Sequence, residues 1–199
     1  DLGPLLVDNN YIVANGLGLY KDGSYGNQTY DPIATVTRNW FNYPKTVHIE
    51  NASSDGYRYY NRNPLEFKRT QSLGIVGNVL TGSFTSRNGG SGIFMSGRSA
   101  YGNTLGNGLN NIWIRSNTIA HGASVWECSG NVNAGSDPVP ARYVLFENNL
   151  SYDINSFTYY SQDGQAFGSA HWTNYAGCTD VRYRNNTHGE IVGLWPALI

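Results

Sequence analysis

Ile112-Trp113-Ile114-Arg115-Ser116-Asn117 decides the fold of this chain. Ile112 and Ile114 alternate with Trp113 and Arg115, the period-two pattern of a strand with one buried face. Asn117 closes the stretch, and asparagine tolerates the left-handed backbone of a tight turn. Outward from there the same pattern (apolar, any, apolar, any, any, Asn) recurs at Leu5 to Asn10, Ala34 to Asn39, Leu73 to Asn78, Val144 to Asn149 and Val181 to Asn186. In the fifth copy Tyr143, Leu145 and Asn148 offer a competing register. A strand-plus-turn unit repeated every few tens of residues is the signature of a solenoid.

Successive asparagines of the pattern are 29, 39, 39, 32 and 37 residues apart. That is too irregular for a short-period calcium-binding β-helix and predicts loops of unequal length between core strands. A helical solenoid needs long stretches of 3.6-residue periodicity, and the 24 glycines and many asparagines interrupt every candidate window. A β-sandwich needs frequent hairpin turns and no aligned asparagines. The expected fold is therefore all-β, a parallel β-helix of about six coils forming a single domain over residues 1–199.

Stacking the coils at the ordinary strand spacing of about 4.8 Å turns the repeat into rows. Residues five and three before each Asn face inward, so Leu73, Ile75, Ile112, Ile114, Val144 and Phe146 are expected in the core. The asparagines form a ladder. One outward row runs Asp8, Thr37, Val76, Arg115, Glu147, Arg184, and the other Leu6, Thr35, Gly74, Trp113, Leu145, Arg182. Glycoside hydrolysis needs two carboxylates about 5–9.5 Å apart. Asp8 and Glu147, the carboxylates of these rows, lie four coils apart, about 19 Å. Arg115, Glu147 and Arg184 have two readings. They form an exposed ion-pair ladder worth at most about 1 kcal/mol per pair, or the arginines grip uronate or sulfate groups.

Composition narrows the class. Charged residues are 14%, against 15 tyrosines and 24 glycines, and the net charge is −1. Nothing here favours nucleic acid or an anionic membrane, and no segment reads as a membrane span or signal peptide. Low charge with abundant Asn, Ser, Gly and Tyr is expected of a secreted or cell-surface protein. Cys128 and Cys178 are either a disulfide between neighbouring coils or two buried thiols. His48, His121, His171 and His188 are scattered without zinc-ligand spacing, so no metal is expected. No cofactor is expected either. Gly16-Leu17-Gly18-Leu19-Tyr20-Lys21 lacks the third glycine of a dinucleotide fingerprint, and no helical pattern follows it.

The stretch Gly3-Pro4-Leu5-Leu6-Val7-Asp8-Asn9-Asn10-Tyr11-Ile12 resembles a coil of secreted bacterial right-handed parallel β-helix proteins. These belong to the pectin-lyase-like superfamily, and most have no assigned activity. The resemblance continues through Val36 to Asn39, Pro64 to Lys68, Ile75 to Leu80, Gly92 to Arg98, Ile114 to His121 and Asn148 to Ile154. It implies a right-handed solenoid. It also points to Glu66, Lys68, Arg98 and His121, since such proteins carry Glu, Lys, Arg and His there. Alternation with Leu65 and Phe67 places Glu66 and Lys68 on the outside. Proteins of this kind extend further at both ends, so the chain is expected to lack terminal coils or caps. The apolar tail Leu194 to Ile199 is expected to be covered by another coil or another molecule. Of the four sequons, at Asn27, Asn51, Asn149 and Asn185, that at Asn149 falls on a residue expected inside the ladder.

Two functions from different classes follow. The first is an extracellular protein engaging polysaccharide, with lyase-like chemistry as an option. Arg115 and His121 join Glu66, Lys68 and Arg98 as candidate catalytic residues, and Trp113, Arg115, Arg182 and Arg184 as candidate sugar contacts. Trp126, Tyr159, Tyr160 and Trp172 are further aromatic candidates, because flat rings stack on sugar faces. The second is a non-catalytic structural or adhesive module that self-associates end to end into fibres.

Overall fold

A computed structural model of the chain describes residues 4–13, 18–21, 33–43, 63–68, 70, 72–83, 85–86, 90–91, 93–98, 110–129, 141–155, 158–159, 172–174 and 178–192. For 20–21, 68, 85–86, 90–91, 93, 96–98, 127–129, 141, 172–174 and 178 this description is of the backbone. The architecture is all-β with three parallel sheets, an arrangement compatible with a parallel β-helix.

The first sheet orders its strands as the chain does: Leu5–Asp8, Ala34–Thr37, Leu73–Val76, Asn110–Arg115, Ala141–Glu147 and Cys178–Arg184. Each is followed by a strand of the second sheet: Tyr11–Val13, Trp40–Asn42, Val79–Ser83, Thr118–Gly122, Leu150–Asn155 and the pair Thr187–His188 and Ile191–Val192. The third sheet holds Leu19–Lys21, Leu65–Lys68, Ile93–Arg98, Ser124–Ser129 and Trp172–Asn174. The chain thus passes from first to second to third sheet and back, one circuit after another. A short antiparallel pair, Thr85–Ser86 with Gly90–Ser91, lies between two of these strands.

Only one corner is constant. Two residues join the first sheet to the second in every circuit, whereas the link from second to third sheet runs from the single residue Ala123 to the stretch 43–64. The first corner residue is always left-handed: Asn9, Arg38, Gly77, Ser116, Asn148 and Asn185 have φ between 53° and 67°. The second is always the ladder asparagine. Its Oδ1 accepts from both the backbone N–H and the Nδ2 of the preceding asparagine, as Asn117 does from Asn78 at 2.9 and 3.0 Å. Its Nδ2 donates to a carbonyl of the preceding circuit, from Asn117 to Ile75 O at 2.9 Å. The asparagine-to-asparagine bonds run from Asn10 to Asn186, and the bond to a preceding carbonyl from Asn39 to Asn186, while Asn10 Nδ2 donates to Asp8 O of its own circuit. Asn39, Asn78, Asn117 and Asn149 are buried, their polar atoms satisfied by one another and by backbone.

The expected core rows form in the expected register. Ala34, Leu73, Ile112 and Val144 pair in sequence, as do Val36, Ile75, Ile114 and Phe146, and all are buried. The fifth copy therefore uses Val144, Phe146 and Asn149, while Asn148 is its left-handed corner residue. Phe41, Leu80, Ile119, Phe67 and Phe94 fill the space between the sheets. Trp126, expected as an exposed aromatic, is instead wholly buried in this core. Glu66 also departs from expectation. Alternation predicts an exposed face there, yet Glu66 is buried along with Leu65 and Phe67, and accepts a hydrogen bond from Asn63 Nδ2 at 3.3 Å.

The side chains of Lys68, Arg98, Cys128, Cys178 and Trp172, all of Tyr160, and the tail from 193 onward lie outside the described residues. So do the sequon asparagines Asn27 and Asn51. Asn149, as expected, is inside the ladder.

Candidate functional site

Left-handed non-glycine residues cost about 1–2 kcal/mol each and draw attention wherever they cluster. Among the described residues, those away from the constant corner fall in two columns, one of them joined by a left-handed glycine. One column, Asn111, Tyr143 and Asp180, sits near the start of three consecutive first-sheet strands. The other is on the second sheet, where Gly82, His121 and Asp153 share one register position on adjacent strands.

In the second column the left-handed residue reverses the phase of the strand. Thr118, Ile119 and Ala120 begin as a regular strand, with Ile119 inward and buried. Continued alternation would turn residue 121 inward and 122 outward. Gly122 is the buried one instead, and a Cβ there would lie 2.3 Å from the Phe94 ring. Core packing against Phe94 thus takes residue 122 inward, and the left-handed turn at 121 puts His121 outside, where it is exposed. Asp153 behaves alike, with buried Ile154 paired to Gly122. Two side chains that strict alternation would bury are brought to the surface side by side.

There they meet. His121 Nδ1 lies 2.7 Å from Asp153 Oδ2, and the Tyr159 hydroxyl donates to the same carboxylate oxygen while standing 3.4 Å from His121 Nδ1. The Tyr152 ring meets His121 edge-on, with centroids 5.6 Å apart. Burial raises the affinity of the Asp153 carboxyl for its proton, but hydrogen bonds from Tyr159 and His121 and the imidazole charge outweigh it, and the carboxyl sits below its ordinary range. Burial, then the bond to Asp153 and its charge, push the Tyr159 phenol well above its ordinary value. The cluster therefore presents a carboxylate, a phenol that holds its proton, and an imidazole whose Nδ1 is engaged and whose Nε2 has no hydrogen-bond partner among the described residues. A carboxylate that orients an imidazole through Nδ1 is the arrangement that readies Nε2 as a general base.

The surrounding second-sheet surface is apolar and aromatic. One outward row pairs Tyr11, Trp40, Val79, Thr118 and Leu150 in register. Tyr11 is 59% exposed and Trp40 48%, their ring centroids 4.9 Å apart. Val13 and Tyr152 are exposed on the same sheet.

The first-sheet candidates assemble differently. Trp113 is 41% exposed beside Arg115. Glu147 takes Arg115 Nε at 3.1 Å on one oxygen and Arg184 Nε at 2.6 Å on the other. Asp8 is likewise held by Arg38, which lowers the Asp8 carboxyl chiefly through their hydrogen bonds. Arg182 is exposed and faces Leu145 across the strand pair.

On the third sheet the backbone register brings Lys68 opposite Arg98, and Glu66 opposite Ser96, whose other neighbour is Glu127. Sequence reasoning named His121 but missed Asp153 and the placement of Tyr159. Asp153 is 32 residues away, and only the pairing of Ala120 with Tyr152 reveals the contact.

A second histidine site lies at the last described circuit. His188 occupies the inward row opposite Ser151, with Nδ1 2.7 Å from Ser151 Oγ and Nε2 2.5 Å from the Tyr183 hydroxyl. His188 remains exposed at this end, but its partial burial lowers the imidazole, and burial raises the Tyr183 phenol. Ser151 is wholly buried, which suits a polar finish to a core row better than a nucleophile. Among the described residues no three His, Cys, Asp or Glu side chains group as metal ligands.

Compared with known proteins, the chain matches no family model, no curated protein and no solved structure, so the pectin-lyase-like resemblance rests on the residues quoted above.

Proposed function

We propose that this is an extracellular, right-handed parallel β-helix protein of the pectin-lyase-like kind, which holds polysaccharide against the outer face of its second sheet. One observation carries the reading: the oriented pair His121–Asp153 stands at two left-handed positions beside a surface of exposed rings. Non-glycine residues held left-handed at a cost in backbone strain cluster at binding and catalytic sites. Exposed apolar patches likewise mark contact surfaces. Secretion and the superfamily assignment are supported by composition and by the quoted motifs.

His121 Nε2 is the candidate base, and the Tyr159 hydroxyl, which keeps its proton and donates to Asp153, helps hold that carboxylate in place. In a lyase reaction the base removes the proton next to a uronate carboxyl, and a cation must neutralise that carboxyl. Among the described residues the second sheet carries no Lys or Arg to do so. Binding is accordingly the better-supported half of the proposal.

The experiment is a panel of neutral, uronate and sulfated polysaccharides, scored for binding and for ultraviolet absorbance of unsaturated products. Retention of at least one glycan, lost in His121→Ala or Trp40→Ala, is the expected result. Retention of none in the panel refutes the proposal.

The second reading, a non-catalytic module that stacks end to end, is favoured by the Arg115–Glu147–Arg184 ladder, which commits two candidate sugar-gripping arginines to an ion-pair network. Light scattering at micromolar concentration, showing growth without glycan, supports that reading.

A further inference from the structure

We infer that the ligand of the second-sheet face is an uncharged glycan whose sugar rings lie on Tyr11 and Trp40. The inference rests on the polysaccharide reading above and adds the charge class of the ligand.

Charge complementarity carries it first. A protein that grips uronate or sulfate does so with Arg or Lys, the forked guanidinium above all. The second-sheet strands contain neither, and their exposed carboxylate, Asp153, is negative. Among the described side chains, Arg115, Arg142, Arg182 and Arg184 stand on the first sheet and Arg38 at its corner with the second; Arg38, Arg115 and Arg184 are engaged by Asp8 and Glu147. Among the described residues, a polyanion on the second sheet would meet a carboxylate and no compensating cation. An uncharged glycan meets no such penalty.

The rings are also held in place before any ligand arrives. Trp40 Nε1 donates to Thr81 Oγ1 at 3.1 Å, Asn42 Nδ2 donates to the Tyr11 hydroxyl at 3.0 Å, and Thr81 Oγ1 donates to Asn42 Oδ1 at 3.3 Å. The chain of bonds ties each ring's polar atom to the next outward row and leaves both rings exposed. A preorganised ring loses little freedom on binding, which is the property a stacking platform needs. The C–H faces of a neutral sugar suit such rings, and its hydroxyls suit the Asn and Thr groups around them. The row Tyr11, Trp40, Val79, Thr118, Leu150 spans four strand spacings, about 19 Å, room for several sugar residues.

The test is affinity electrophoresis of the full chain in gels containing galactomannan, mixed-linkage β-glucan, polygalacturonate or dextran sulfate, at low and high salt. The inference expects retardation by at least one neutral glycan, unchanged by salt. Trp40→Ala should abolish it and Tyr11→Ala weaken it about tenfold. Tyr143→Ala, which removes an exposed ring of the first sheet, should leave it intact. Trp40→Phe, which keeps a ring and loses the Nε1 bond, should retain part of it and guards against a folding defect in Trp40→Ala. Retardation by the polyanions alone, abolished by salt, overturns the charge class while leaving polysaccharide binding standing. Neutral binding indifferent to Trp40→Ala and Tyr11→Ala overturns the platform. No retardation in any gel overturns both this inference and the reading beneath it.

Discussion

His121 and Asp153 occupy one register position on adjacent strands of the second sheet, both left-handed in backbone, and their side chains meet at 2.7 Å. Neither local sequence requires the meeting. It follows from Gly122 and Ile154 both being taken into the core, which forces the preceding residue of each strand outward.

The Asp153 carboxyl should reveal that geometry in its titration. Hydrogen bonds from Tyr159 and His121 hold it below the ordinary value of 3.8 against the opposing effect of burial. In Tyr159→Phe one of those bonds is gone and burial remains, so the carboxyl should titrate higher. Carbon-detected NMR of the side-chain carboxyl follows both proteins. An unchanged value in Tyr159→Phe contradicts the contact. Because the folded value is depressed, the contribution to stability is present above 3.8 and is lost as pH falls through the folded value.

The ladder should be strong in the middle and weak at its start. Removing the Asn117 side chain takes an acceptor from Asn78 and a donor from Ile75 O, all buried. Asn117→Ala should cost about 2–4 kcal/mol in chemical denaturation. Asn10 is exposed, and Asn10→Ala should cost less than about 1 kcal/mol. Equal costs at the two positions would contradict a burial-dependent ladder.

Two left-handed glycines should respond to substitution to different degrees. A Cβ at Gly82, where φ is 77°, would lie 2.1 Å from Tyr43 O, so Gly82→Ala should cost roughly 2–4 kcal/mol. Gly77, at φ 67°, has nothing within 4 Å of its Cβ position, and asparagine fills the same corner at Asn9, Asn148 and Asn185. Gly77→Asn should cost only about 1 kcal/mol, the backbone strain alone. Thermal melts of the two variants decide it.

The parts of this fold that were legible in sequence are those governed by short-range rules. Asn10 to Asn186 could be aligned because one left-handed residue plus one asparagine is a local solution repeated at each corner. The inward rows followed from period-two alternation. Glu66 was misplaced because alternation names a face but does not say whether something covers it. Trp126 was misplaced because its residue type was read without a register. His121 was visible as a residue, but its partner depended on a phase reversal at Gly122 that only packing against Phe94 dictates.

His188 gives a further pH signature. Burial lowers its imidazole below the ordinary 6.5, so the unfolded chain binds this proton more readily than the folded one. Its contribution to stability is full above about 6.5 and declines as pH falls toward the folded value. Denaturation midpoints should fall across that window in the parent protein and flatten in His188→Gln. A parent midpoint that rises on acidification through the window would contradict the assignment.

The claim that the second-sheet face receives glycan is tested most directly by NMR of side-chain resonances during titration with the neutral polysaccharide that retards the protein most. The Trp40 indole N–H and the His121 imidazole should shift together, because both stand on that face, while the Trp113 indole on the first sheet stays still. Movement of Trp113 alone, or of none of the three at saturating glycan, would contradict it.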